Sequence, residues 1–126
     1  MRTKERIVEA LRRFGLQPND DGEQVAFCYQ MAQYVYYPDE SDDSYMAFYL
    51  PCIYQVTEDN ETEVLKAINE CNIFMKTSKL ISANEYVWAA YEIYVPEMGD
   101  VDEFVVRAIR CLYESKMRFD MEIKGL

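Results

Sequence analysis

The sequence contains no histidine, and it has only four glycines and four prolines among 126 residues. Histidine is the usual general base and a common metal ligand near neutral pH. Its absence excludes Ser-His-Asp and Cys-His nucleophiles and histidine-ligated zinc or iron. The low glycine and proline content excludes collagen-like and low-complexity chains. We therefore expect a folded protein that is not an enzyme and that needs no cofactor.

Positive charge is also scarce, since 13 Lys and Arg stand against 23 Asp and Glu, for a net charge of −10. Nucleic-acid binding requires a basic face, so nucleic acid is not an expected partner. Apolar runs are all shorter than the ~20 residues of a membrane span, and the opening MRTKERIVEA lacks the apolar core of a signal peptide. We expect a cytoplasmic protein with no membrane partner.

The four cysteines form no CxxC pair, which argues against a zinc knuckle or a thioredoxin-type redox site. Each cysteine lies in an apolar segment, where a reduced thiol behaves as a small hydrophobic residue. A chain of this length buries roughly two thirds of its unfolded surface without disulfides. We expect a single domain spanning residues 1–126, with all four thiols reduced.

Helical spacing of apolar residues predicts three helices. Thr3 is the expected cap of the first, and Gly15 is expected to end it in a left-handed conformation. Asn60 and Asp100 are each followed three residues later by Glu, a capping-box pattern that predicts the second and third helices. Residues 119–126 are expected to be a short strand or a fraying tail.

Strand alternation is evident in five segments. Pro51 cannot donate to a strand ladder, so the third segment is expected at a sheet edge or at a bulge. The order α-β-β-β-α-β-β-α predicts an α+β fold with a single antiparallel-rich sheet and helices packed on one face. The five segments are residues 25–30, 33–37, 45–56, 74–82 and 86–95.

Three segments carry a resemblance to a known family. FCYQMAQYVYY (27–37) resembles a first hairpin, NETEVLKAINECNIF (60–74) a helix leading into a strand, and EYVWAAYEIYVP (85–96) a penultimate strand. Together they are similar to the YbjN family and to the type III secretion chaperone-like fold. This resemblance implies a dimer-prone, chaperone-like interaction domain without catalytic residues.

Aromatic residues exceed what one helix-covered sheet face needs, with eleven Tyr, six Phe and one Trp. Strict alternation directs Tyr45, Tyr49, Trp88 and Tyr94 to the face away from the helices. Such a face is usually polar, whereas an aromatic, amphipathic composition is typical of protein interfaces. These four residues are the candidate partner or dimer face; the alternative is a face covered by a loop or by the tail.

Acidic residues are concentrated in residues 14–65, which contain eleven Asp and Glu and no Lys or Arg. A negative field over this segment would attract a basic peptide or the protein's own basic first helix. The alternative is that the acids only decorate loops and keep the protein soluble. The candidate steering residues are Asp39, Glu40, Asp42 and Asp43.

These acids do not fit an EF-hand, because counted from Asp39 the sixth position is Ser44 and the twelfth is Leu50. Glu92 is the only acid well inside a predicted strand, so a carboxylate pair for glycoside hydrolysis is not expected. We expect neither a metal site nor catalytic residues.

The sequence thus predicts a non-catalytic, homodimeric module that binds a protein or a basic peptide on its aromatic sheet face. One alternative is a small ligand-binding domain or an enzyme that uses carboxylates and Tyr. Another is an acidic regulator that binds no peptide.

Overall fold

A computed structural model describes residues 2–125, which form three helices and a six-stranded sheet. The predicted α+β class is confirmed, with one additional short strand. In chain order the elements are α1 (Thr3–Arg13), β1 (Asn19–Asp20), β2 (Val25–Tyr29), β3 (Ala32–Tyr37), β4 (Tyr45–Gln55), α2 (Glu61–Phe74), β5 (Ser78–Ala83), β6 (Tyr86–Tyr94) and α3 (Asp102–Lys124).

The strands lie in the order β1-β2-β3-β4-β6-β5, and every neighbouring pair is antiparallel. β1 is not among the five strands predicted from the sequence, because Asn and Asp are residues typical of turns. It pairs with β2 through only two residues, Asn19 and Asp20. Such a short pairing carries too little alternation to be recognised in a sequence.

β4 occupies the middle of the sheet, between β3 and β6. Its register with β6 shifts between Leu50 and Tyr54, and Cys52 has a φ of +54°. Pro51 therefore lies at a bulge and not on an edge strand. Of the two expected alternatives, the bulge is the correct one. Tyr54 lies beyond the bulge on the helix side, where its ring meets that of Phe119 at 5.4 Å.

Both two-residue hairpin turns use non-glycine residues at positive φ. Gln30 and Met31 have φ values of 49° and 64°, and Asn84 and Glu85 have 52° and 68°. Turns of this kind match the right-handed twist of the strands they connect. Residues other than Gly and Asn are strained at positive φ, at a cost of about 1–2 kcal/mol per residue.

α1 ends as expected and begins differently. The N–H of Leu16 donates to the carbonyl of Leu11 at 3.0 Å, and Gly15 has a φ of +90°, which completes a Schellman motif. At the other end Thr3 does not cap the helix with its side chain. Its backbone N–H donates instead to the carboxylate of Asp43 at 3.1 Å.

The two capping boxes do not form as expected, although both helices start close to the expected residues. The Asn60 side chain accepts from the N–H of Thr57 at 2.8 Å and makes no cap bond to α2. Asp100 does accept the N–H of Asp102 at 2.8 Å, at the start of α3. Glu103 pairs instead with Arg107 at 2.8 Å.

α3 extends further than expected, because it continues through Lys124. The expectation of a strand or tail from residue 119 onward is wrong; Leu126 itself lies outside the described residues. Phe119 is fully buried, so the last turns of α3 belong to the core. None of the helices among residues 2–125 is long and apolar enough to cross a membrane.

The hydrophobic core lies between the helices and one face of the sheet. α3 packs on β4, β5 and β6, with α1 and α2 against its flanks. Alternation of β4 and β6 supplies the sheet side of this core. Its largest fully buried side chains are Tyr34, Tyr36, Tyr91, Phe48, Phe119, Ile7, Leu11, Met46, Leu50, Leu80, Ile109 and Leu112.

Candidate functional site

The sheet face opposite the helices, here called the open face, carries the four aromatic residues singled out in the sequence. Strand register pairs Tyr45 with Tyr94 and Tyr49 with Ala90, while Trp88 lies beside Ile81 of β5. All of these positions alternate with buried residues of the helix side. Tyr45, Tyr49 and Trp88 are half-buried, and Tyr94 is 71% exposed.

The open-face rings contact one another edge to face. Tyr37 and Tyr49 have centroids 5.4 Å apart at 72°, and Tyr49 and Trp88 have centroids 6.4 Å apart at 82°. Tyr45 and Tyr94 pair at 5.9 Å. Tyr37 is a member of this cluster that the sequence reasoning missed. Tyr37 lies opposite Ala47 in the register of β3 and β4. Because Ala47 alternates with Met46 and Phe48 of the core, Tyr37 belongs to the open face.

A pocket of about 470 Å³ lies within this cluster. Ala47 is a small residue between Tyr45 and Tyr49 along β4, and such a residue leaves a depression between larger neighbours. Three of the four candidate aromatic residues line the pocket, and Tyr94 does not. The lining residues are Tyr37, Pro38, Asp39, Glu40, Tyr45, Ala47, Tyr49, Ile81, Ala83, Asn84 and Trp88.

Two of the four candidate steering acids, Asp39 and Glu40, also line the pocket. The Asp39 carboxylate accepts from both the N–H and the hydroxyl of Ser41, at 2.9 and 2.7 Å. Together with the adjacent backbone, Ser41 lowers the pKa of Asp39, so this carboxylate stays ionised. Among the described residues Glu40 has no hydrogen bond or ion pair within the chain.

The other two steering candidates have structural partners. Asp42 accepts from the N–H of Ser44 at 3.0 Å and closes a turn. Asp43 caps α1 through Thr3 and lies 3.6 Å from Arg2. Asp43 therefore contacts the protein's own basic helix, which was one of the alternatives for the acidic segment.

Another acid of that segment also pairs with α1. Lys4 of α1 lies 2.9 Å from Asp20 in β1, and this contact lowers the pKa of Asp20. Asp20 and Asp43 therefore contact α1. Asp39 and Glu40 lie at the pocket instead, where a partner can meet them.

Glu92 lies on the open face beside Ala47 and connects two neighbouring side chains. The Tyr45 hydroxyl donates to its carboxylate, and the Lys79 ammonium lies 2.9 Å away. The hydrogen bond from Tyr45 and the pairing with Lys79 lower the pKa of Glu92. Burial and the same hydrogen bond raise the pKa of Tyr45, so its hydroxyl remains protonated.

The hydroxyl groups of the two β4 tyrosines in this site stay protonated at neutral pH. Burial also raises the pKa of Tyr49. The Trp88 indole N–H is buried and has no hydrogen-bond acceptor among the described residues. No group of three potential metal ligands occurs within residues 2–125. The arrangement offers aromatic surface and negative charge, which are means of binding.

A second exposed apolar surface, here called the helix-side patch, lies where the C-terminal end of α2 meets the second half of α3. Its four side chains, Ile73, Phe74, Met117 and Met121, are between 43 and 65% exposed. A groove of about 590 Å³ runs beside three of them. Both charge signs border this groove, through Lys76, Arg118, Glu114 and Glu122. The sequence reasoning missed this patch because it placed Phe74 in a strand and residues 119–126 in a strand or tail.

No family model and no curated protein matches the chain. Solved structures match it over almost its whole length. YbjN of E. coli, described as a candidate transcription regulator, has a TM-score of 0.71 at 9% identity and covers 98% of this chain and 93% of its own. An uncharacterized protein of Methanothermobacter thermautotrophicus has a TM-score of 0.69 at 12% identity, covering 98% and 97%.

At these identities the likeness shows the fold. The chain has a YbjN-like fold, as the resemblance in its sequence predicted.

Proposed function

We propose that the chain is a non-catalytic, homodimeric module of the secretion-chaperone type that binds a protein or peptide on the open face. The segment that it binds is basic and apolar. The observation that carries this proposal is the pocket among Tyr45, Tyr49 and Trp88, with Asp39 and Glu40 at its rim. Neither of the two structural neighbours is described as an enzyme.

Aromatic side chains supply large, rigid contact areas and dominate the energetics of many interfaces. Tyrosine hydroxyl groups tolerate water when the partner is absent, which suits a face that is exposed in the free protein. The acids at the rim add long-range attraction for a basic segment and so accelerate encounter. A partner of opposite character, acidic or strongly polar, would gain from neither feature.

A protein partner fits the charge of the chain better than DNA does. YbjN is described as a candidate transcription regulator. The net charge of −10 here opposes close approach to phosphates, since affinity for DNA comes largely from their neutralisation. Any regulatory role of this chain is therefore proposed to act through a protein.

Calorimetric titration with two matched peptides tests the proposal. The probe is an extended peptide that alternates Lys with Leu and Phe, and its control carries Glu in place of each Lys. We expect heat of binding from the basic peptide only. Ala47→Leu fills the pocket and should abolish binding, while Ala26→Leu, on the same face in β2, should leave it intact. Equal binding by both variants would contradict the proposal.

A small-molecule ligand is the second candidate, because about 470 Å³ falls within the ~300–1,000 Å³ of ligand pockets. Its distinguishing test is thermal denaturation of the protein across a fragment library. A ligand-binding domain would be stabilised by fragments that Ala47→Leu excludes, and it would give no heat with either peptide. A peptide-binding module would give the opposite pair of results.

For the homodimer, the proposed interface is the helix-side patch. A two-fold interface brings the same surface of two protomers together, so the bases and acids beside the groove can pair across the axis. Lys76 and Arg118 of one protomer would face Glu114 and Glu122 of the other. This arrangement buries Phe74 and the exposed methionines and leaves the open face free for a partner.

A further inference from the structure

The pocket on the open face has an unusual lining for one that accepts an apolar side chain. Four of its eleven residues are aromatic, namely Tyr37, Tyr45, Tyr49 and Trp88, and two are acidic. Tyr37, Tyr49 and Trp88 form a series in which each ring stands nearly perpendicular to the next. A group in the pocket therefore meets ring surfaces from more than one direction.

Aromatic faces carry negative electrostatic potential, and an ammonium or guanidinium within about 6 Å of a ring centroid is attracted to it. The carboxylates of Asp39 and Glu40 add negative charge at the mouth of the pocket. Lys79, the basic residue on this part of the sheet, is paired with Glu92 at 2.9 Å, so its charge is compensated. The aromatic faces and the two carboxylates therefore both favour a cation over a neutral group in this pocket.

We propose that this pocket is an aromatic cage for an organic cation, the Lys or Arg head group of the bound partner. This inference rests on the proposed function and deepens it, because it names the side chain that enters the pocket. Apolar residues of the same segment then lie along the rest of the open face. The cage selects a charged side chain, and the surrounding aromatic rings supply contact area for the apolar residues.

Two pairs of small probes test the cage directly, with the emission of Trp88, the only tryptophan, as the readout. N-acetyl-arginine amide is compared with N-acetyl-citrulline amide, and N-acetyl-lysine amide with N-acetyl-norleucine amide. Citrulline keeps the shape of arginine without its charge, and norleucine keeps the alkyl chain of lysine without its ammonium group. At low salt we expect roughly tenfold tighter binding by at least one cationic probe than by its neutral analogue.

Matched variants identify the groups responsible. Tyr37→Leu removes one ring of the cage and should weaken cation binding several-fold, whereas Phe14→Leu, at an equally exposed ring outside the pocket, should not. Glu40→Gln should weaken the cationic probe and leave the neutral one unchanged. Glu58→Gln, in the same acidic segment but outside the pocket, is its control.

Two results would overturn the cage. Binding of citrulline and norleucine probes as tight as that of the charged ones would show that the pocket does not select charge. A Trp88 signal that is unchanged by all four probes over the millimolar range would show that no cation enters it. In both cases the basic-apolar peptide of the calorimetric test can still bind the open face, so this inference and the proposed function fail separately.

Discussion

At the scale of single residues, Glu92 illustrates how the open face is organised. Its carboxylate accepts from Tyr45 and pairs with Lys79, so one acid holds side chains from two neighbouring strands. Its pKa lies below the ordinary value of 4.5. A lowered pKa means that the folded state favours the ionised form, and this stabilisation is present above the unfolded pKa.

We predict that Glu92→Gln lowers the free energy of unfolding by about 1 kcal/mol at neutral pH. The difference from the natural protein should shrink as pH falls below 4.5 and through the folded pKa of Glu92, where the natural side chain also loses its charge. Urea denaturation at a series of pH values measures this. A difference that stays constant down to the acid limit would show that the charge of Glu92 contributes nothing.

Single contacts of this kind were only partly predictable from the sequence. Alternation assigned Tyr45, Tyr49 and Trp88 to one face, since the side-chain period of a strand is fixed. It could not give the role of Asp43, which caps a helix that starts 40 positions earlier in the chain. Nor could it separate Glu40 at the pocket from Asp42 in a turn, because adjacent acids look alike until the loop path is known.

At the scale of elements, the outer edge of β5 shows how an exposed strand is protected. Asn72 of α2 donates to the carbonyl of Leu80 at 3.0 Å and accepts from its N–H at 2.8 Å. The side-chain amide therefore takes the place that a neighbouring strand would occupy. Unpaired strand edges are sites of aggregation, and covering them prevents edge-to-edge pairing.

We predict that Asn72→Leu lowers the free energy of unfolding by about 1–3 kcal/mol, because both backbone groups of Leu80 lose their partner. It should also promote aggregation through the β5 edge. Asn69→Leu, three residues earlier on α2 and exposed, is the matched control and should do neither. Chemical denaturation and light scattering measure the two effects. Equal behaviour of both variants would contradict a protective role.

The first hairpin turn offers a second test at this scale. Met31 is fully exposed and has a φ of +64°, so its side chain adds strain without packing. We predict that Met31→Gly raises the free energy of unfolding by about 1 kcal/mol. Met98→Gly, at another exposed methionine without positive φ, should not stabilise the protein. A loss of stability in Met31→Gly would show that the turn is not strained.

Most elements were predictable because their signals are local. Gly15 ends α1 as expected, and the alternation of β6 extends over nine residues. The end of α3, from residue 119 onward, was not predicted as helix because charged residues interrupt its apolar stripe, and the packing of Phe119 against Tyr54 shows that it belongs to the core. For Pro51, the choice between edge and bulge depended on the strand order, which the sequence does not contain.

At the scale of the whole molecule, the helix-side patch and the open face lie on opposite sides of the sheet. We predict a homodimer through the patch, which sedimentation equilibrium at micromolar concentration should detect near twice the 14.9 kDa chain mass. Phe74→Asp should give a monomer, because it buries a charge in the interface. Met98→Asp, at another exposed apolar side chain that lies outside the patch, should remain dimeric.

A monomer at all concentrations would contradict the dimer. A dimer that persists in Phe74→Asp and dissociates on addition of the basic peptide would place self-association on the open face instead.

At this scale the fold class was predictable from the sequence, because the order of helices and strands determines it. Which of two apolar surfaces serves which partner depends on how α2 and α3 meet, and this follows only from the packed structure.

The central claim is that the open face binds a basic, apolar segment of a protein, and Trp88 reports on it most directly. Titration with the alternating Lys, Leu and Phe peptide should shift the Trp88 emission to shorter wavelength as the ring becomes dry. Affinity should fall with salt, because the Debye length shrinks from ~10 Å at 0.1 M to ~3 Å at 1 M, while the emission of the saturated complex stays shifted. An emission that does not change while calorimetry records binding would contradict the claim, since the peptide would then occupy another surface.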